Sequence, residues 1–499
     1  MNKAVRKWIW ILLVGAAVFV PLAFFIADNT PMSVVAFVLA IAALFIWGVF
    51  SSWLFGLGRH AIAHMKKPIE KLTFVSKPVG SSRLADYTRS LEHLCEADSS
   101  SRRFGVQRYL LLGTLKNANL SIEPIEWETI EATDGELVNV PSNPVYLLRY
   151  NDRPFLAKAS QLQETYGYHD EDSLSSGVTG ALELFAKSLD DANEITQWLN
   201  TQASAHSIYR GKMLLVASPN DGTVGQTVRI QSRPEQSRDA IILPENIVEI
   251  AERLVLSNSK HRQQLSAIGH SANLGLLLHG PPGTGKTLLT RYLIDCCQEH
   301  TVIVPTDMSV ETLRECFRLA NYLQPAILVL EDVDLLAQDR NASFKVDGLQ
   351  ELMNQMDGLA PSSDVTVMMS TNRPEVLEPA LATRPGRVSQ TIEFPLPDAN
   401  DREKLLKLFF AEVNIQDIEL ESWVQRTYGA SPAFLKELCR RSILVCAQRS
   451  DVTEDETPSW KLNKDDIDQA IHDLVVMGGD LTSRSLGFPS ESKNQSGFH

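Results

Sequence analysis

The sequence predicts an α/β protein built in sections: a two-helix transmembrane hairpin, a small α/β domain, and an αβα domain closed by a helical lid. Three observations carry this. Two long uncharged apolar runs open the chain. The middle strings short apolar segments around one helical stripe. In the C-terminal half, a buried-strand run leads straight into a Gly-rich loop and then a periodic helix.

Trp8–Ala27 is apolar and uncharged, and a polar break follows at Asp28-Asn29-Thr30-Pro31. A second uncharged run extends from Met32 to about Leu57. At ~1.5 Å per residue each run reaches ~30 Å or more, enough to cross a hydrocarbon core. The spans are placed at about 8–27 and 33–55, within a hairpin of residues 1–59. Trp8, Trp10, Trp47 and Trp53 lie near the outer ends of the runs, where an aromatic belt belongs. Lys3, Arg6 and Lys7 precede the first run, and Arg59, Lys66, Lys67 and Lys71 follow the second, whereas the connecting loop holds only Asp28. The positive-inside rule puts both termini in the cytosol; the expected location is a bacterial inner (cell) membrane. A cleaved signal peptide is the rival for the first run; the run's length and the second span argue against it. With no charge inside either span, the hairpin reads as an anchor and not an ion path.

The net charge of −14 and the lack of a Lys/Arg run speak against nucleic acid as a partner. The six cysteines form no CxxC pair, which suits a reduced, cytosol-facing bulk. Residues 60–240 read as an α/β N-domain, either a spacer or a substrate-recognition module. A helix is expected around Ser81–Glu96, and strands at Pro144–Arg149, Phe155–Lys158, Ala181–Ala186, Lys212–Val216 and Thr227–Ile230. Ser188–Gln202 has helical periodicity, with Ala192, Ile195 and Leu199 on one stripe and Asp190 and Asp191 in the first turn. Gln231–Ser237 reads as a linker.

The chemistry concentrates in residues 241–400. Leu276–Leu278 runs into Gly280-Pro281-Pro282-Gly283-Thr284-Gly285-Lys286-Thr287, followed by a helix over Leu288–Cys297. This is a phosphate-binding loop in its strand–loop–helix context. Its glycines let backbone N–H groups approach phosphates, and the helix end adds a positive dipole. Lys286 is the partner for β/γ-phosphates, and the Thr287 hydroxyl is a Mg²⁺ ligand. A second apolar strand, Ala326–Leu330, ends in Glu331-Asp332, which delivers carboxylates beside that loop. A third, Val365–Ser370, ends in Thr371-Asn372, where a polar side chain either orients water or is an ordinary turn residue. Arg384 and Arg387 lie in Arg384-Pro385-Gly386-Arg387, ahead of a strand at Gln390–Phe394. Guanidiniums fit phosphate oxygens bidentately, though a lone surface loop can carry the same residues.

Together GPPGTGKT (280–287), ILVLEDVD (327–334), LMNQMDGL (352–359), STNRPEVLEPAL (370–381), RPGR (384–387) and FPLPD (394–398) resemble the AAA+ ATPases, and within them the AAA subgroup. The resemblance implies ATP hydrolysis with Mg²⁺ and a homo-hexameric ring. It makes Asn372 a sensor of the γ-phosphate, and Arg384 and Arg387 arginine fingers acting on the next subunit's ATP. Residues 401–477 resemble the family's helical lid, with Gly429-Ala430-Ser431-Pro432-Ala433 as its small-residue turn near adenine; 478–499 is a flexible tail.

Three departures from the family pattern bear on function. The acidic pair is Glu331-Asp332 in place of Asp-Glu, so Asp332 is assigned as the catalytic carboxylate and Glu331 to the Mg²⁺ side. The mitochondrial AAA family that assembles respiratory complex III shares this order and an N-terminal membrane anchor. Pro305-Thr306-Asp307-Met308-Ser309 lacks the aromatic residue with which threading members grip a polypeptide, so such a paddle is expected to be absent, with Met308 as a substitute the less favoured alternative. Leu381–Arg384 is one residue longer than the usual run before RPGR. No HExxH occurs, which excludes a membrane AAA protease; His60 and His64 have the spacing but sit at the end of the second span, as an interfacial helix face. The expected function is a membrane-anchored AAA+ ATPase that remodels, translocates or dislocates a protein client at the lipid bilayer. The alternative is a slowly hydrolysing, nucleotide-dependent switch or scaffold.

Overall fold

The computed structural model describes residues 57–106, 122–133, 136–161, 178–218, 227–337, 348–377, 388–411, 413–415, 420–449 and 461–474. The two apolar runs at 8–27 and 33–55, the tail 478–499, and Arg384 and Arg387 lie outside these residues. Among the described residues no helix is long and apolar enough to cross a membrane.

The chain divides into two units; apart from the short pieces Glu131–Glu136 and Ser175–Gly177, the second runs from Ser207 onward. The first opens with α1 (Leu57–Met65), β1 (Thr73–Gly80), α2 (Ser81–Ala97) and β2 (Arg102–Gly105). β3 (Trp127–Thr133) and β4 (Glu136–Pro141) pair as a two-stranded ribbon. β5 (Pro144–Tyr150), β6 (Arg153–Gln161), β7 (Val178–Ala186) and α3 (Leu189–Ala205) follow. Five strands form one sheet in the order β1-β7-β6-β5-β2, with antiparallel pairing throughout. Alternation along β5 sorts the faces. Val145 and Leu147 join Leu57, Ala61 and Met65 of α1 in one core, while the Tyr146 hydroxyl donates to Glu92 of α2. Ser188 caps α3 by accepting from the Asp191 N–H, and Ala192, Ile195 and Leu199 are buried along its stripe.

α1 corrects the reading of its two histidines. Leu57, Ala61 and Met65 are fully buried in this unit. His64 contacts the Leu148 carbonyl at 2.8 Å, and His60 stacks on Phe104 at 4.6 Å. The helix is therefore part of a domain core, not an interfacial face.

The second unit contains β8 (Met213–Ala217), β9 (Thr227–Gln231), α4 (Glu245–Ala267), β10 (Leu274–His279), α5 (Lys286–Cys296), β11 (Thr301–Pro305), α6 (Val310–Tyr322), β12 (Ala326–Leu330), α7 (Gly348–Asp357), β13 (Val365–Thr371) and β14 (Gln390–Glu393). Their seven strands pair in the order β14-β10-β13-β12-β11-β8-β9. All neighbours are parallel except β9, which runs antiparallel to β8. β12 is buried at every position, as a sheet covered on both faces requires. Leu328 and Leu330 face the core that holds Phe317 of α6 and Leu352 of α7. Ile327 and Val329 face the core that holds Val248 of α4 and Leu289 of α5. The arrangement is helix, sheet, helix.

This sheet moves the domain boundary drawn at 240. β8 pairs with β11, Met213 opposite Val302, so residues from about 207 belong to the second unit and not to the N-domain. A strand's composition says that it is a strand, whereas its sheet is set by a partner far along the chain. The first unit's sheet is also antiparallel, an α+β arrangement in place of the α/β one expected.

The same unit ends in a helical subdomain: α8 (Ala399–Phe409), β15 (Asn414–Ile415), α9 (Leu420–Arg426), α10 (Pro432–Arg449), β16 (Lys461–Leu462) and α11 (Lys464–His472). Leu406, Trp423, Phe434, Leu438 and Ile467 form its core. α11 starts with a capping box between Asn463 and Asp466.

Candidate nucleotide-binding site

β10 hands the chain to a loop that only glycine can shape. Gly280 has φ +145°, and a Cβ there would lie 2.3 Å from the Phe394 carbonyl oxygen. Gly285 adopts φ +102° immediately before α5. Thr284 closes the turn by donating to the Pro281 carbonyl at 2.9 Å. The loop delivers Lys286 as the first residue of α5. Its side chain is buried, and the ammonium donates to the Gly280 and Pro281 carbonyls, both at 2.8 Å. Burial pushes its pKa down to about 8, against the opposing pull of Asp332 and Asp334.

β12 ends at Leu330, and Glu331 and Asp332 follow directly. Asp332 turns the chain with a left-handed φ of +50°, a conformation that Asp and Asn tolerate better than most residues. Its N–H donates to the Ser370 hydroxyl at 3.3 Å. Asn372, just past β13, donates its side-chain amide to the Asp332 carboxylate at 3.0 Å. One residue earlier, the Thr371 hydroxyl donates to the buried Asp334 at 2.8 Å, which ties the end of β13 to the turn after β12.

These elements border a cleft of about 560 Å³, lined by Gly283–Leu288, Glu331, Asp332 and Asn372. Ala240, Ile242 and Leu243 form another wall, and Leu405, Phe409, Pro432, Ala433 and Lys436 come from the helical subdomain. The Ala433 N–H donates to the Gly283 carbonyl at 3.2 Å, so α10 touches the phosphate loop directly. Glu331 and Thr287 also line a smaller space of about 390 Å³ behind α5, with Arg291 and Gln231.

The structure therefore brings Lys286, Thr287, Glu331, Asp332 and Asn372 to one cleft. The residues fit a nucleoside triphosphate with Mg²⁺: a glycine cradle that a Cβ would fill, one buried ammonium, one hydroxyl and two carboxylates. Among the described residues no group of three or more His, Cys, Asp or Glu side chains forms a metal cluster, so a cation here depends on the triphosphate's own oxygens for most of its ligands.

The loop after β11 is held by its own hydrogen bonds. Asp307 accepts from the Ser218 N–H at 3.0 Å, the Ser309 N–H at 3.0 Å and the Thr312 hydroxyl at 2.9 Å. Burial alone would raise its pKa, but these hydrogen bonds outweigh it and hold the carboxyl below the ordinary range. Met308 packs partly buried against the core under α6. It is a core side chain and not a projecting paddle.

Sequence reasoning missed the contributions of Leu405, Phe409 and Lys436, and the binding of 231–237 to α5. That stretch is not a free linker: Arg233 donates to four backbone carbonyls.

A Gly-rich loop between strand and helix, with acidic and amide groups on the two neighbouring strand ends, defines a P-loop nucleotide-binding domain. Residues 276–396 match the family "ATPase family associated with various cellular activities (AAA)", and this stretch is an AAA ATPase domain. The chain is 31% identical over 256 residues to a 26S proteasome regulatory subunit 8 homolog of Encephalitozoon cuniculi, covering 48% of this chain and 63% of that one. It is 33% identical over 232 residues to the subunit 8 homolog of Schizosaccharomyces pombe, covering 43% and 57%. A subunit 6B homolog of Dictyostelium discoideum is 35% identical over 197 residues, covering 36% and 49%. The chain thus spans about half to just under two thirds of the length of these curated relatives.

Proposed function

We propose that this chain is a membrane-anchored ATP hydrolase that uses a ring of its own copies to remodel a protein client at the bilayer. The observation that carries the catalytic part is the Asp332 carboxylate, held by Asn372 in the cleft that also receives Lys286 and Thr287. Water attacks the γ-phosphorus as the bond to the β–γ bridging oxygen breaks, giving ADP and phosphate. Asp332 orients that water and receives its proton, Asn372 fixes the carboxylate, and Lys286 leaves its carbonyl partners to pair with β/γ-oxygens. Thr287 and, on the other side, Glu331 would hold Mg²⁺, which would supply charge neutralisation at those oxygens. Arg384 and Arg387 complete the site from an adjacent copy.

The AAA ATPase domain and the proteasomal regulatory relatives support ATP-driven work on proteins. The anchor rests on the uncharged runs at 8–27 and 33–55 and on the basic residues outside them. Both termini and the ATPase domain then face the cytosol. The Glu331-Asp332 order and the aromatic-free segment 305–309 favour the mode of the complex III assembly family, moving a folded client, over threading an extended one.

A substrate trap tests the reading. Asp332→Asn is expressed in native membranes and crosslinked with ATP bound, and captured proteins are identified by mass spectrometry. Capture of one or a few clients supports a remodelling motor; capture of its own subunits alone overturns it. The second reading is a slowly hydrolysing, nucleotide-dependent switch or scaffold. Wild-type turnover below about one ATP per minute, against ~1–100 s⁻¹ for typical phosphoryl transfer, would select it.

A further inference from the structure

One wall of the cleft comes from a segment that runs beside α5 from its last turn to its first. At the far end, the Gln236 N–H donates to the Asp295 carboxylate at 3.1 Å. At the near end, Leu243 lies 3.6 Å from where a Cβ on Gly285 would stand, against the phosphate loop. Gln236 and Leu243, and Ala240 and Ile242 between them, line the cleft. The segment has no regular secondary structure beyond a short 3-10 turn at Arg238–Ala240; Ile241 anchors its later part in the core beside Val248 and Leu289, and a second anchor must set its start along the helix.

Arg233 does so. One terminal nitrogen donates to the Ile294 and Cys297 carbonyls, both at 3.2 Å. The other donates to the Gly211 carbonyl at 3.0 Å and to that of His300. Ile294 and Cys297 present carbonyls at the C-terminal end of α5 that each accept one backbone N–H, from Cys297 and His300, and use a second lone pair for Arg233. A guanidinium there meets the negative end of the helix dipole with both terminal nitrogens engaged. α5 has 11 residues and is therefore ~16 Å long, which puts Arg233 out of reach of any phosphate on the loop.

We propose that Arg233 is a positioning residue for nucleotide binding: clamped on the far end of α5, it fixes the segment that walls the base and ribose end of the cleft. The inference rests on the reading of this cleft as an ATP site. Arg233 acts on the nucleoside part of the ligand and leaves the phosphate part alone, because the phosphate loop's own bonds do not involve it.

The test uses the full-length protein in detergent micelles and the variants Arg233→Gln and Arg233→Lys. Steady-state assays give KM and kcat for ATP, and inhibition constants for ADP and for inorganic tripolyphosphate, which engages the phosphate loop alone. For Arg233→Gln we expect KM for ATP and the ADP constant to rise about tenfold, with kcat and the tripolyphosphate constant within about twofold. Arg233→Lys, which keeps the charge but loses the fork, recovers part of the loss. Equal weakening of ADP and tripolyphosphate overturns the proposal, because it shows general damage to α5; so does no weakening of either. Should Arg233→Gln fail to fold, Asp295→Ala removes the acceptor for the Gln236 N–H, and the same split between ADP and tripolyphosphate is required. A wild-type chain that binds ADP but turns over no ATP sinks the hydrolase reading and leaves the split measurable by calorimetry.

Discussion

The loop after β10 and the loop after β11 leave the same edge of one parallel sheet, and their hydrogen bonds are arranged differently. In the first, Lys286 rests on two carbonyls of its own loop, Gly280 and Pro281. These are partners a phosphate can replace at a gain, since charged acceptors bind an ammonium more strongly than carbonyls do. In the second, the charged group is itself the acceptor. Asp307 takes donors from Ser218, Ser309 and Thr312, and the hydrophobic member of the loop, Met308, is packed in the core. One loop is built to exchange partners for a ligand; the other has already satisfied itself. The lesson is that position at the functional edge does not by itself make a loop a contact surface. What matters is whether its polar groups hold partners that a ligand could displace.

The largest expected effect lies in the carboxylate that faces the first loop. Asp332→Asn keeps the shape and the Asn372 contact but loses the base, so hydrolysis should fall by about 10²–10⁴-fold while ADP affinity changes little. A steady-state phosphate-release assay beside ADP calorimetry checks this, and near-normal turnover would return the catalytic role to Glu331. Next in size is Lys286→Met. Loss of charge-assisted bonds to phosphate costs ~2–3 kcal/mol, or about 10²-fold in ATP affinity. The buried ammonium it removes is one that burial disfavours, so thermal unfolding should show no loss of stability. A large drop in the melting temperature would mean that the lysine is structural in the empty site, and the contrast between the two loops would fail.

The third prediction inverts that pattern. Asp307→Ala strands the Ser218 and Ser309 N–H groups, at ~1–3 kcal/mol for unsatisfied groups of this kind. The melting temperature should fall by several degrees, with KM for ATP unchanged within about twofold. A fall in client remodelling without any loss of stability would show instead that this loop contacts the client.

How much of this was legible in the sequence depends on the range of the bonds involved. Gly280–Thr287 and the acids after β12 are local patterns, in which strand, turn and helix signals agree within a few residues. The helix after Ser188 was legible for the same reason: its cap, its acidic first turn and its stripe are all neighbours. What was not legible depends on distant partners. β8 shows its alternation but not that its neighbour is β11. α1 follows an apolar run, so its own apolar stripe read as more of the same, yet Leu57, Ala61 and Met65 close the core of the first unit. Arg233 bonds only to backbone carbonyls, which carry no side-chain signature at all. Asp307 was visible as a residue, but the partner that completes its network, Ser218, sits at the end of a strand assigned to another domain.

The smallest effect, and the sharpest test of exchange at the first loop, is its pH dependence. Burial holds the Lys286 pKa at about 8, below the ordinary 10.5, and a bound triphosphate beside it would raise that value by opposite charge. The charged lysine is the form that binds. Below about pH 7 the free site is already protonated, so this group gives affinity no slope. As pH rises through 8, the free site loses its proton and binding must take one up, so affinity should fall by up to tenfold per unit until the bound-state pKa is passed. Calorimetry of ADP binding from pH 7 to 9.5, repeated in buffers of different ionisation enthalpy, reads both the slope and the proton uptake. Lys286→Met should lose both. A flat profile in the wild type would mean that the ammonium stays charged on its two carbonyls throughout, and that the first loop is held by its own bonds much as the second is.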